Sequence, residues 1–271
     1  MTKHYKSYST RIKKAFTTNN HEQYRKNFIP YIMCGEYSLD TTIMQMESIA
    51  KYCKIIELGI PFSNPVADGQ IIQESSKKSL QNKTKLQDVF NVIKSFRETN
   101  QETAIILMGY YNIIYSFGVE RFADKMNKIG VDGLIICDLP FEESKFIYKT
   151  FNNYNIDLIQ LVTNLTSKER MINISKISSG FVYFVGIAGV TGSKQMQISS
   201  IQEKLSEIRN IFNIPNVVGF GIDNQKTAQE IYKISDGVVV GSYLIDFFNK
   251  NCINQKDCYQ IFENKLKSFV F

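Results

Sequence analysis

Two carboxylates in one short stretch are the residues of this chain best placed to do chemistry. Glu57 stands inside an apolar run, between Ile56 and Leu58, and Asp68 follows it in an Ala-Asp-Gly turn. A glutamate in a buried strand is costly unless it is paired or used, and desolvated carboxylates cluster at active sites. A pair in unequal environments lets one carboxyl act as acid and the other as base or charge stabiliser. The alternatives are a hydrogen-bonded core residue at Glu57 and a simple turn residue at Asp68.

Three late glycine-containing segments indicate a phosphate site. The first begins at Gly189 and follows the sixth apolar run. The other two begin at Gly219 and Gly241 and close the seventh and eighth runs, and the last leads through Ser242 into a helical stretch. Glycines let backbone N–H groups approach phosphate oxygens, and a helix N-terminus adds a favourable dipole. Each segment alone is also explained by turn geometry, but the three in this order favour phosphate binding. No Gly-Lys-Ser/Thr sequence follows a glycine-rich turn, so a P-loop is excluded.

The remaining reactive side chains exclude several classes of enzyme. The only histidines, His4 and His21, precede the first apolar run, which argues against Ser-His and Cys-His nucleophiles and most zinc hydrolases. No lysine lies inside an apolar run, which disfavours a Schiff-base aldolase. The five cysteines include no Cys-x-x-Cys pair, so we expect free thiols in a reducing compartment and no metal site.

Composition excludes further classes. The chain has 271 residues, of which 44% are hydrophobic and 21% charged, as expected for a folded protein with a sizeable core. The net charge of +6 comes from scattered lysines, which indicates a solvated surface and no nucleic-acid partner. No apolar run approaches the 18 residues of a membrane span, and the polar N-terminus lacks a secretory signal. The cytoplasm, or the stroma of a plastid, is therefore the expected location.

Alternating strands and helices must position these residues. Eight short apolar runs read as buried parallel strands: Phe28–Met33, Ile55–Ile60, Ala104–Tyr110, Gly133–Asp138, Asp157–Thr163, Phe181–Ile187, Val217–Ile222 and Gly237–Ser242. Stretches of helical periodicity separate most of them: Ser38–Cys53, Leu86–Arg97, Val119–Ile129, Glu142–Phe151, Ser167–Ile177, Ile201–Ile211 and Gln225–Ile234.

This alternation predicts a single (β/α)₈ TIM barrel over residues 1–271, with an open doubly wound sheet as the alternative. Residues 1–25 form an expected N-terminal helical extension, because Ile12 and Phe16 recur at helical spacing. The long interval 61–103 is expected to hold an extended loop and two helical pieces. Ser38, Thr166 and Asn224 are the expected helix caps.

Long motifs of this chain resemble the tryptophan synthase alpha chain family. The most specific runs from Glu57 to Gly69 and continues through Ile72-Gln73. The others fall in family order, namely Leu107–Asn112, Gly130–Ile135, Asp138–Pro140, Gly180–Tyr183, Gly189–Gly192, Gly219–Ile222 and Asp236–Ser242. Departures from the family pattern occur at Asn64, Ile113 and Ile187, and Gly35-Glu36-Tyr37 replaces the common Gly-Asp-Pro.

The resemblance implies a barrel lyase that splits indole-3-glycerol phosphate into indole and glyceraldehyde 3-phosphate by retro-aldol cleavage. It implies that Glu57 is the acid–base catalyst and that Asp68 interacts with the indole N–H. It further implies a phosphate grip formed by Gly192, Gly221, Gly241 and Ser242. The implied pocket walls are Tyr31, Met108, Tyr110, Tyr183, Thr191 and Phe220.

The resemblance also implies a partner. The alpha chain has no cofactor of its own, and in the family's α₂β₂ complex it passes indole to a beta chain that carries pyridoxal phosphate. Two alternatives remain, a stand-alone lyase that releases free indole and a non-catalytic activator of a beta chain. Other phosphate-binding barrels, such as indole-glycerol-phosphate synthase or a sugar-phosphate isomerase, share the grip but not the function.

Overall fold

The computed structural model describes residues 5–17, 27–186, 194–220, 222, 224–253 and 255–269. Its centre is a closed barrel of eight parallel strands in sequence order. They are β1 (Asn27–Met33), β2 (Ile55–Gly59), β3 (Ala104–Gly109), β4 (Gly133–Ile136), β5 (Asp157–Thr163), β6 (Val182–Gly186), β7 (Asn216–Phe220) and β8 (Gly237–Val240). The predicted TIM barrel is confirmed, and the alternative open sheet is wrong because β1 pairs with β8 as well as with β2.

Several strands end earlier in the structure than the sequence predicted. β3, β4 and β8 stop at Gly109, Ile136 and Val240, one to two residues before the predicted ends. Beyond these residues the chain passes into the connections at the carboxyl-terminal end of the barrel, and Ser242 already begins the next helix. The predicted end of the sixth strand, Ile187, lies outside the described residues.

Helices surround the barrel over the described part of the chain. They are α1 (Thr10–Phe16), α2 (Leu39–Ala50), α3 (Gln70–Gln81), α4 (Leu86–Thr99), α5 (Tyr111–Phe117), α6 (Val119–Ile129), α7 (Phe141–Asn153), α8 (Lys168–Ile177), α9 (Lys194–Ile211), α10 (Gln225–Ile234), α11 (Ser242–Asn251) and α12 (Cys258–Lys267). The interval 61–103 holds α3 and α4, as predicted. Among the described helices, none is long and apolar enough to cross a bilayer.

Local capping explains where several helices begin. The side chains of Ser38 and Asn224 accept hydrogen bonds from backbone N–H groups three residues on, as the sequence predicted. The expected cap Thr166 is wrong by one residue. Ser167 caps α8 by accepting from the Arg170 N–H, while the Thr166 hydroxyl accepts from the Thr163 N–H and closes the preceding turn.

Alternation along the strands divides the core into two layers. On β2, Ile55 belongs to the cluster inside the barrel, while Ile56 and Leu58 face the surrounding helices. The short helix α1 adds Ile12 and Phe16 to the inner cluster, where Phe16 lies 5.7 Å from Phe181 between ring centroids. α1 thus closes the amino-terminal end of the barrel, which leaves the carboxyl-terminal end to hold a site.

Candidate active site

Glu57 is a buried carboxyl group without a partner. It lies on β2, in register with Tyr31 of β1 and Ile106 of β3, and it is 1% exposed. Strand alternation directs it to the inside, because Ile56 and Leu58 on either side face the helices. Among the described residues, neither carboxyl oxygen has a hydrogen-bond partner. A buried, unsatisfied polar group is rare in folded proteins, and it is expected where a ligand supplies the missing partner.

Burial changes the protonation of Glu57. Desolvation raises the pKa of this carboxyl to about 8, and the nearby charge of Asp68 acts in the same direction. At neutral pH the group therefore holds a proton that it can give to a substrate. A carboxylic acid in this state is suited to general acid catalysis near pH 7.

Asp68 lies in the loop after β2 and has a defined partner. The Tyr110 hydroxyl donates a 2.8 Å hydrogen bond to Asp68 Oδ2 and accepts one from the Ala67 N–H at 3.1 Å. The ring of Tyr110 stacks on Phe62 with 4.8 Å between centroids. Burial raises the pKa of Asp68, and the Tyr110 hydrogen bond opposes that rise. The two carboxyls therefore differ as predicted, with Glu57 the more deeply buried.

Two tyrosines of the inner cluster, Tyr31 on β1 and Tyr183 on β6, lie close to the backbone of a neighbouring strand. A Cβ atom at Gly59 would overlap the Tyr31 hydroxyl, and one at Gly219 would overlap the Tyr183 hydroxyl. These strand positions must be glycine because the rings cross directly over the neighbouring backbone. Burial raises the pKa values of both tyrosines well above normal, and the charges of Glu57 and Asp68 add to this effect. Both phenols are therefore neutral near pH 7.

The predicted phosphate grip is only partly within the described residues. Gly241 precedes α11, which begins at Ser242, so the free N–H groups of this helix start at the end of β8. Gly192, Gly221 and Thr191 lie outside the described residues, as does the side chain of Phe220. Met108 on β3 is partly buried and packs against the inner cluster.

Some residues at the site were not predicted from the sequence. Phe62, which supports Tyr110, follows Pro61 in a loop and has no periodicity that marks it. Burial raises the pKa of Cys137 well above normal, and the charges of Asp68 and Glu57 contribute, so this thiol lies in the wall near the pair. Asp138 accepts from the Tyr111 N–H at the start of α5, and so does not cap the helix that follows it in sequence.

The described residues include no group of three histidine, cysteine, aspartate or glutamate side chains that could hold a metal ion.

Comparisons with known proteins agree on one family. The family model described as "Tryptophan synthase alpha chain" matches residues 17–269. The tryptophan synthase alpha chain of Ruthia magnifica is 41% identical over 224 residues, covering 82% of this chain and 84% of the relative. That of Neisseria gonorrhoeae is 35% identical over 262 residues, covering 96% and 99%.

Solved structures give the same result. The alpha subunit of Legionella pneumophila tryptophan synthase superposes with a TM-score of 0.87 at 31% identity, covering 96% of each chain. A chain from the tryptophan synthase α₂β₂ complex of Pyrococcus furiosus superposes with a TM-score of 0.82 at 32% identity, covering 90% of this chain and 97% of that one.

Proposed function

Because this chain belongs to the tryptophan synthase alpha chain family, lyases that cleave indole-3-glycerol phosphate, we propose that Glu57 and Asp68 perform that cleavage here. The products are indole and glyceraldehyde 3-phosphate, and the pathway is tryptophan biosynthesis. The observation that carries the proposal is Glu57, a buried and unpartnered carboxyl with a pKa of about 8, near Asp68.

Glu57 supplies the proton that makes indole a leaving group. The protonated carboxyl donates to the ring carbon that bears the side chain, which places positive charge on the indole nitrogen. The carboxylate that results accepts the proton of the side-chain hydroxyl as its carbon becomes the aldehyde. The electrons of the broken carbon–carbon bond return to the ring, so indole forms with no net gain or loss of protons.

Asp68 stabilises the charge that develops on the ring. Its carboxylate accepts a hydrogen bond from the indole N–H, and in a low-dielectric pocket this attraction is stronger than in water. Tyr110 holds the carboxylate in place and favours its ionised form. The two carboxyls thus have separate tasks, with Glu57 moving protons and Asp68 remaining charged.

The surrounding residues orient the substrate. We assign the indole pocket to Tyr31, Met108, Tyr110, Tyr183, Thr191 and Phe220. The N-terminus of α11 supports phosphate binding at Gly241 and Ser242, since free N–H groups and the helix dipole both favour an anion. Gly192 and Gly221 complete the proposed grip.

The test is release of indole from indole-3-glycerol phosphate by the purified chain. We expect Glu57→Gln to lower turnover at least ~10²-fold, because an amide can neither donate a proton of suitable acidity nor accept one. Asp68→Asn should also impair turnover while the substrate still binds. Glu263→Gln, which removes a distant carboxylate, is the control. Wild-type turnover in Glu57→Gln would contradict the mechanism.

We propose a beta chain as partner and no cofactor in this chain, with pyridoxal phosphate carried by the beta chain. The α₂β₂ complex of the Pyrococcus furiosus relative supports the beta-chain partner. Further support comes from apolar side chains exposed on segments that follow β2, β3 and β5: Val66, Tyr115 and Leu165 are 72%, 69% and 86% exposed.

The assay with and without a beta chain separates the alternatives. We expect indole release that rises when a beta chain is added. High release without a partner would indicate a stand-alone lyase, and activation of a beta chain without indole release would indicate a non-catalytic activator. All five cysteines are free thiols, which supports a reducing compartment, the cytoplasm or a plastid stroma.

A further inference from the structure

Glu36 is a buried carboxylate that the proposed chemistry does not use. It lies in the loop between β1 and α2 and is 5% exposed. Its Oε2 accepts a 2.6 Å hydrogen bond from the Ser75 hydroxyl of α3, and its Oε1 accepts one from Asn249 Nδ2 of α11 at 3.3 Å. Lys78 Nζ lies 3.5 Å from Oε1 and donates to Asn249 Oδ1 at 2.7 Å. One carboxylate therefore joins a loop and two helices.

Both helices begin at the proposed site. α3 starts at Gln70, two residues after Asp68, and α11 starts at Ser242 in the proposed phosphate grip. Ser75 is five residues into α3 and Asn249 seven into α11, distances of roughly 8 and 11 Å along a helix. Because a helix is rigid over this length, a shift at Ser75 or Asn249 also displaces the first turn of the same helix. The contacts of Glu36 therefore fix the positions at which α3 and α11 begin.

Hydrogen bonds, and little apolar packing, hold α3 against the barrel. Its buried residues are Ser75, Ser76 and Ser79, whereas α4 buries valine, isoleucine and phenylalanine. The Ser79 hydroxyl donates to the Cys34 carbonyl at 2.6 Å, and Asn82 Nδ2 donates to the Glu36 carbonyl at 2.9 Å. Directional bonds fix the position of α3, so apolar contacts cannot compensate when one of them is lost.

We propose that Glu36 is a positioning residue that fixes the Asp68 loop relative to the phosphate-binding end of α11. Through α3 and α11 it sets the distance between the group that faces the indole ring and the groups that hold the phosphate. The proposal rests on the proposed function, because it assigns the two ends of one substrate to these two helix starts. Small displacements of substrate-positioning groups are enough to lower the rate strongly.

Two variants test the proposal, each with a matched control. Glu36→Gln keeps the shape of the side chain but removes the charge facing Lys78 and one acceptor oxygen. Lys78→Met, at a side chain that is 45% exposed, removes the partner without burying a new group. The controls are Glu263→Gln and Lys51→Met, because Glu263 similarly joins α12 to Ser48, Lys51 and Tyr52 of the α2 region, away from the site.

The measurements are kcat and KM for indole-3-glycerol phosphate and the affinity for inorganic phosphate. We expect Glu36→Gln to lower kcat/KM about tenfold, with KM rising and phosphate affinity falling, and Lys78→Met to change both in the same direction by about threefold. The controls should stay within twofold of the wild type. Unfolding temperatures will show whether Glu36→Gln and Glu263→Gln lose similar stability.

Two outcomes would overturn the role of Glu36: wild-type kcat/KM and phosphate affinity in both Glu36→Gln and Lys78→Met, or equal losses in Glu36→Gln and Glu263→Gln. A wild-type chain that releases no indole contradicts the proposed function instead. In that case the phosphate affinities of the four variants still decide whether Glu36 positions the end of α11.

Discussion

At the amino-terminal end of the barrel, buried carboxylates have every partner they need, whereas the most buried carboxyl near the other end has none. Asp132, 3% exposed, accepts hydrogen bonds from the Ser9 hydroxyl at 2.5 Å, Arg11 Nε at 3.0 Å, Arg97 Nη2 at 2.9 Å and the Ile105 N–H at 2.9 Å. Glu57, 1% exposed, has no hydrogen-bond partner among the residues that the structure describes. Two carboxyl groups that are buried to a similar extent therefore differ in their use, one for structure and one for chemistry.

The amino-terminal carboxylates hold the chain together. Asp157, fully buried at the start of β5, accepts from the Ser7 hydroxyl and from the Tyr8 and Ser9 N–H groups. Together with Asp132 it ties the segment before α1 to the barrel. Asp68 is intermediate, since Tyr110 of the same site is its one side-chain partner within the described part of the chain. Carboxylates whose oxygens are fully hydrogen-bonded stabilise the fold, whereas a carboxyl group without hydrogen-bond partners is available to a substrate.

Removing a saturated carboxylate gives the largest expected effect. We expect Asp132→Ala to lower the free energy of unfolding by about 3–5 kcal/mol, because Arg97 then becomes a buried charge without a counterion. Urea denaturation measures the loss. Glu102→Ala, which removes an exposed partner of Lys14, should change stability by about 0.5 kcal/mol or less. A loss below ~1 kcal/mol in Asp132→Ala would show that this network is not structural.

Sequence patterns found the unsatisfied carboxyl but not the saturated ones. Glu57 interrupts an apolar run, which marks it without knowledge of any other part of the chain. Asp132 and Asp157 stand at the starts of runs, where an aspartate is ordinary, and their partners Ser9 and Arg11 lie more than 120 residues away in sequence. No spacing rule connects residues so far apart.

Separation along the sequence also decides what can be predicted of the fold and of Glu36. Alternation of apolar runs and helical stretches predicts the pairing of successive strands, which are close in sequence. Closure of the barrel joins β1 to β8, the most distant strands in sequence, so the pattern favoured the barrel but left the open sheet as an alternative. The buried residues of α3 are serines, so its pattern of apolar residues does not indicate the polar contacts that hold it in place. Only the three-dimensional contacts show that Glu36 joins this helix to α11.

The wild type and Glu57→Gln should differ in how their free energy of unfolding depends on pH. Burial raises the pKa of Glu57 from 4.5 to about 8 in the folded protein, so between these values the folded state holds a proton that the unfolded chain has lost. Wild-type stability should therefore fall as pH rises through this window, by up to about 1.4 kcal/mol per pH unit. Glutamine does not titrate, so the variant should lack this fall.

Glu263→Gln is the opposite case. Hydrogen bonding to Lys51 is the main effect that lowers the pKa of Glu263, so this carboxylate adds stability that is present above its unfolded pKa and lost as pH falls. Denaturation between about pH 3 and pH 9 compares the three proteins, because the loss expected for Glu263 lies below pH 4.5 and the one expected for Glu57 above it. The interpretation of Glu57 as a destabilising, functional carboxyl requires that Glu57→Gln gain stability relative to the wild type as pH rises. Parallel curves for wild type and Glu57→Gln would contradict it.

The smallest expected effect concerns Asp68, which has fewer hydrogen-bond partners than Asp132 and more than Glu57. Its one side-chain partner, the Tyr110 hydroxyl, favours the charged form, while burial raises the pKa of this carboxyl. Tyr110→Phe removes the hydroxyl but keeps the ring that stacks on Phe62. The pKa of Asp68 should rise, so the acidic limb of kcat/KM should move to higher pH, with a loss of about tenfold or less on that limb. Tyr259→Phe, at an exposed ring on α12, should leave the profile unchanged. If the acidic limb stays in place in Tyr110→Phe, ionised Asp68 does not limit the reaction, and the assignment of charge stabilisation to Asp68 fails even where Glu57 retains its role.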